Sequence, residues 1–79
     1  MRHFEANPTV LDDYANTYDG ERVYRVSYGT IGEAYAIRED GEDMEDFEYE
    51  VASALRRKHG RHILGSMREF EDVTGTFGA

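Results

Sequence analysis

The apolar residues of this chain change period three times, and each change marks an element. Leu11, Tyr14, Ala15 and Tyr18 recur at i, i+3, i+4 and i+7, the spacing of one helix face. Asn7-Pro8 ahead of them has the form of a helix start, with Asn7 as N-cap and Pro8 in the first helical position. Asp12 and Asp13 fall in the first turns, where the macrodipole favours carboxylates, and Asp19-Gly20 ends the segment. From Arg22 to Tyr28 the period drops to two. Tyr24, Val26 and Tyr28 take one face and Val23, Arg25 and Ser27 the other, as in a strand. Gly29-Thr30-Ile31-Gly32 supplies a hairpin connection with two glycines able to take positive φ. Glu33 to Glu39 is the returning strand, with Tyr35 and Ile37 facing the same way, and Asp40-Gly41 closes it.

The longest periodic segment comes next. Met44, Phe47, Val51, Ala54 and Leu55 form an apolar stripe at spacings of three and four, which predicts the main helix from about Asp43 to His59 with Gly60 just past its end. His62-Ile63-Leu64-Gly65-Ser66-Met67 reads as a third strand, and Met67 to Val73 fits either its extension or a helical turn. Thr74 to Ala79 is glycine-rich and reads as a flexible tail. The predicted fold is α+β. A small single domain over residues 1–73 runs in the order α-β-β-α-β, its three-stranded, mainly antiparallel sheet packed by one main helix, and residues 74–79 trail from it. Tyr24, Tyr28 and Tyr35 are placed on the inner sheet face, Tyr14 and Tyr18 in the core or at its boundary, and Ile31 at an exposed hairpin tip.

Length and composition narrow the possibilities. Seventy-nine residues allow one domain with a small core, and ten aromatics with the aliphatics suffice to build it. There is no cysteine, so neither disulfides nor a thiolate metal site reinforce the fold, which fits a reducing cytoplasm. Met1-Arg2-His3-Phe4-Glu5 is not followed by the apolar region of a signal peptide, and no run approaches membrane-spanning length. A net charge of −8 argues against direct contact with nucleic acid or an anionic membrane and favours basic partners. Lys58 is the only lysine among nine basic residues, a bias found in GC-rich genomes and in salt-adapted proteins.

The charge is concentrated. Between Arg38 and Arg56 there is no cation, and eight of the twelve residues from 39 to 50 are carboxylates. Part of this is ordinary helix chemistry: Glu42, Asp43, Glu45 and Asp46 at one end, with Arg56, Arg57 and Lys58 at the other, complement the macrodipole. Glu48 and Glu50 lie beyond the first turn, where that effect has faded. On one helix Glu42 would face Asp46, and Asp46 would face Glu50, at i, i+4; each such like-charge pair costs about 0.2–0.5 kcal/mol. Glu45, Asp46, Tyr49 and Glu50 project away from the apolar stripe at about 3.6 residues per turn. Either sheet arginines (Arg22, Arg25 or Arg38) neutralise this row, or it is displayed to a partner. The candidate partner-binding residues are therefore Glu42, Asp43, Glu45, Asp46, Glu48, Tyr49 and Glu50, with Tyr49 as an aromatic anchor.

Other constellations carry less. His59 and His62 could share a metal but lack an evident third ligand, so no metal site is assigned. Asp12 to Gly20 misses the calcium-loop spacing, Gly29 to Gly32 lacks the length and lysine of a phosphate loop, and Ser27, Ser53 and Ser66 have no nucleophile context. No catalytic residue and no cofactor is expected.

The acidic stretch 39–50, the β-hairpin feeding a helix, and the closing His62-Ile63-Leu64-Gly65-Ser66 strand together resemble small, acidic, single-domain inhibitors encoded by phages and mobile elements, anti-restriction and anti-CRISPR proteins among them. The resemblance spans roughly residues 22 to 67 and is one of size, charge and element order, without a shared motif, so no residue role carries over. It implies binding to a nucleic-acid-handling effector at its DNA-binding surface, without catalysis. The expectation is a non-catalytic acidic protein, cytoplasmic, a monomer or weak homodimer, that inhibits a host defence complex by occupying its basic DNA-binding surface. The alternative is a halophile-type or housekeeping acidic domain that serves as a structural or assembly subunit, pairing through Ile31 and an open sheet edge.

Overall fold

A half-buried strand alternates apolar and polar residues, but one strand of this chain buries four residues in a row. Ala34, Tyr35, Ala36 and Ile37 are all buried. Such a strand needs cover on both faces, and that requirement organises the fold. The structure, a computed structural model, describes residues 1–29, 32–60 and 67–77. Strand β1 (His3–Ala6) is followed by a 3-10 turn (Asp12–Tyr14), strands β2 (Arg22–Tyr28) and β3 (Gly32–Arg38), helix α1 (Met44–His59) and strand β4 (Met67–Asp72). The four strands form one antiparallel sheet in the order β1-β3-β2-β4.

The hairpin register decides which side chains share a face. Tyr24 lies opposite Ala36, Val26 opposite Ala34 and Val23 opposite Ile37. Tyr24, Val26, Tyr28, Ala34 and Ala36 therefore look toward α1, where they meet Phe47, Val51 and Leu55. The two alanines share this cluster with Phe47, whose ring lies 5.2 Å from that of Tyr24. Each fully buried Val, Leu or Phe here contributes about 1.5–3 kcal/mol. The helix itself forms between two well-made ends. Asp43, extended at φ −63° and ψ 136°, accepts hydrogen bonds from the backbone N–H groups of Glu45 (2.8 Å) and Asp46 (3.4 Å). Gly60, at φ 92°, donates its N–H to the carbonyl of Arg56.

Among the described residues the opposite face is covered without an α-helix. Val23, Tyr35 and Ile37 pack there against Tyr14 and Val73, with Leu11 and Phe77 at the margin. The Tyr14 hydroxyl donates to the Tyr35 carbonyl at 3.1 Å, which pins the 3-10 turn to β3. Of the tail expected from Thr74 on, Thr74 accepts a hydrogen bond from the Val23 N–H, and the Phe77 ring lies 5.6 Å from that of Tyr35.

The α+β class and the main helix hold, and three features are corrected. First, the helix expected from Pro8 to Asp19 is only the single 3-10 turn, with Tyr14 buried but Tyr18 70% exposed. Asn7 is not its N-cap. It sits at φ 51° and binds Glu33 instead, donating its N–H to the Glu33 carbonyl and accepting the Glu33 N–H on Oδ1, which closes the β1–β3 ladder. Second, the sheet has four strands, because His3–Ala6 pairs along β3. Third, Tyr35 does not share a face with Tyr24 and Tyr28, since the hairpin register sets Tyr35 opposite Arg25. The last strand is Met67–Asp72, the extension left open by the sequence. The expected strand residues 62–66 and the exposed Ile31 lie outside the described residues.

Among the described residues one charged group is buried in this framework. Glu21, 6% exposed, accepts from Arg2 Nε at 2.5 Å and from the Tyr18 N–H at 2.7 Å, while the Arg2 guanidinium lies 4.5 Å from the Tyr18 ring centre. The Arg2 hydrogen bond holds the Glu21 carboxyl below its usual range. Replacement of Arg2 by alanine would strand a buried carboxylate and is expected to cost about 1–3 kcal/mol in urea unfolding at pH 7. Because the folded-state pKa is depressed, that loss should shrink as pH falls below the unfolded carboxylate value. A penalty equal at pH 7 and pH 3 would exclude the pair as its cause.

Candidate functional site

The acidic segment divides into three groups once its side chains are placed. Asp43 serves as the helix cap. Glu42 and Glu50, joined by Glu39, converge on the α-ammonium of Met1, at 2.5, 2.8 and 3.0 Å respectively. Glu42 also accepts the Glu39 N–H on Oε1, and its carbonyl accepts from Arg38 Nε. This brings the start of β1 against the loop that enters α1. Burial opposes charge on the ammonium, but hydrogen bonds to Glu42, Glu50 and Glu39 outweigh it and raise its pKa to about 10. Burial likewise opposes charge on Glu42, and the ammonium overcomes it, so this carboxyl titrates below its ordinary value.

Glu45, Asp46 and Glu48 form the third group. Among the described residues no cation lies within ion-pairing distance of any of them. Glu45 and Asp46 are exposed, Glu48 is half-buried, and Tyr49 between them and Glu50 is 72% exposed. Tyr49 also borders a shallow depression with Ala52, Ser53 and Arg56. The same helix then turns basic: Arg56, Arg57 and Lys58 are exposed in its last turn. The acidic face is thus confined to the first two turns.

The sheet arginines do not neutralise this row. Arg22 binds Asp72 at 2.9 Å and Arg25 binds Glu71, its cross-strand neighbour, while Arg38 goes to a carbonyl. The compensating cation is the chain's own ammonium, which the sequence pattern misses because β1 carries no alternation to reveal it. The Glu42–Asp46 pair expected on one helical face is also absent, since Glu42 precedes the cap and the helix begins at Met44. His59, one of the two histidines weighed for a metal, is half-buried with its ring 5.4 Å from Tyr28; His62 lies outside the described residues.

No helix among the described residues is long and apolar enough to cross a membrane. Comparison of the chain with known protein families, with curated proteins and with solved structures finds no match.

The ammonium cluster sets a pH dependence. A folded-state pKa raised from 8.0 to about 10 means the cluster stabilises the fold fully below pH 8 and ceases to do so as pH rises through 10. Thermal unfolding should therefore show Tm falling between pH 8 and pH 10.5, and Glu42→Gln should flatten that decline. Parallel curves for the two proteins would rule out the cluster as its source.

Proposed function

We propose that this chain is a non-catalytic acidic protein that binds a basic, nucleic-acid-contacting protein surface through the outward face of the first two turns of α1. The observation that carries this reading is the set Glu45, Asp46 and Glu48, uncompensated among the described residues and beside the exposed ring of Tyr49. Arginines and lysines that hold a phosphate backbone would meet this field in place of DNA. The charge would speed encounter and select partners, while the aromatic ring supplies contact area. Glu42, Asp43 and Glu50 are assigned to holding the helix and its neighbours in place. In its specific form, the proposal is inhibition of a host defence complex, of the restriction or CRISPR kind, by occupation of its DNA-binding surface.

Expression of the chain in bacteria that carry such a system, challenged with a targeted phage, tests it. The chain is expected to restore plaque formation, and Glu45→Lys combined with Asp46→Lys should lower the affinity for the purified effector by at least about tenfold. Glu50→Gln should leave that affinity near wild type. Binding that is indifferent to the charge reversal, or to salt between about 0.05 and 0.5 M, would reject the proposal.

A second reading rests on a different observation. Exposed carboxylates are not confined to α1: Asp12, Asp13, Asp19, Asp40, Glu69 and Glu71 are exposed on other elements. An acidic shell of this kind suits a domain adapted to concentrated salt, where screening relieves self-repulsion. The urea midpoint should then rise steadily as potassium chloride is raised from about 0.1 to 2 M, well past the point at which a few local pairs are screened. A midpoint that levels off by about 0.3 M would set this reading aside.

A further inference from the structure

A second cluster of ionisable groups lies on the sheet face opposite α1. His3 stands opposite Ile37 and Glu5 opposite Tyr35, so both side chains project to the side covered by the 3-10 turn. That turn contributes Asp13, the residue before the buried Tyr14, and the Tyr14 ring packs edge-on against His3 at 5.2 Å. One ligand atom from each of His3, Glu5 and Asp13 falls within 4.8 Å of the other two. His3 Nε2 and Glu5 Oε2 are 3.9 Å apart.

Two of these atoms are anomalous as they stand. His3 Nε2 and Glu5 Oε2 are both shielded from solvent, within side chains 40% and 44% exposed, and neither atom has a hydrogen-bond partner. Buried polar atoms without partners are rare, and each calls for an explanation. They are too far apart to satisfy one another and lie about where two ligands of a common ion sit before closing on it. Asp13, exposed and at the edge of the group, already places a carboxylate oxygen within 4.8 Å of a ligand atom of each.

We propose that His3, Glu5 and Asp13 bind one divalent first-row transition cation, with Zn2+ as the representative. One imidazole and two carboxylates suit such an ion, and three protein ligands leave a position for water. The ion would clamp the edge strand β1 to the 3-10 turn. It would thereby hold Tyr14 over Tyr35 on the face that has no helix. The site is independent of the acidic face of α1.

Titration calorimetry with Zn2+ on the full chain tests the proposal. Zn2+ is the suitable probe because Cu2+ and Ni2+ would strip amide protons next to a free amine and capture His3 in an unrelated chelate. One ion should bind per chain, and saturating Zn2+ should raise Tm. Asp13→Asn, an exposed substitution, should fold as wild type yet weaken binding at least tenfold and abolish the Tm rise. His3→Asn and Glu5→Gln should weaken binding similarly, whereas His59→Asn should not. Binding that survives Asp13→Asn within threefold, that tracks His59 instead, or that is undetectable at millimolar Zn2+ would overturn the proposal.

Discussion

The double burial of β3 is the constraint on which the rest of the molecule depends. Ala34 and Ala36 turn one way, Tyr35 and Ile37 the other, and both sides must be shut off from water. Among the described residues there is one long helix for two faces, and on the alanine side its Phe47, Val51 and Leu55 supply the cover. The tyrosine side is closed by fragments: a single turn near the beginning, and Val73 with Phe77 near the end. Neither fragment has the length to be stable alone, and both persist because the sheet gives them apolar area to cover.

Charge is distributed under a similar constraint. A helix preceded and entered by so many carboxylates would repel itself, and the fold answers with two devices. One carboxylate is turned into a cap, and three are gathered around a single ammonium at the edge of the sheet. The arginines of β2 are directed to the acids of β4, so they brace the sheet rather than the helix. The remainder, in the first two turns of α1, has no ion-pair partner among the described residues, and only Glu45 and Asp46 lie where the helix dipole favours them.

The parts of this architecture that repeat are legible in the sequence. The hairpin and α1 each carry enough periods to be recognised, and Asp43 and Gly60 bracket the helix almost to the residue. The first helix is illusory because Leu11, Tyr14, Ala15 and Tyr18 satisfy a helical template that only Tyr14 uses for full burial. Asn7 misleads for a related reason: a capping residue and a ladder-closing residue look alike until Glu33 is placed beside it. Strand β1 has four residues, all half-buried, and its pairing is set wholly by β3. A strand with so little pattern of its own conceals the ammonium that quiets Glu42 and Glu50, and it conceals the meeting of His3 with Asp13. The candidate site is thus visible by its charge, while its division into structural and free carboxylates depends on contacts between residues some forty to fifty positions apart.

The bonds that tie β2 to the C-terminal end of β4 and to Thr74 join residues far apart in the chain, 50 residues from Arg22 to Asp72 and 51 from Val23 to Thr74. The hairpin and α1 can assemble early in folding, but the tyrosine face stays open until Val73 reaches Val23. Closure over so long a loop is the slow part of such a topology. The aromatic face of the sheet is therefore the last part of the core to be shut off from water.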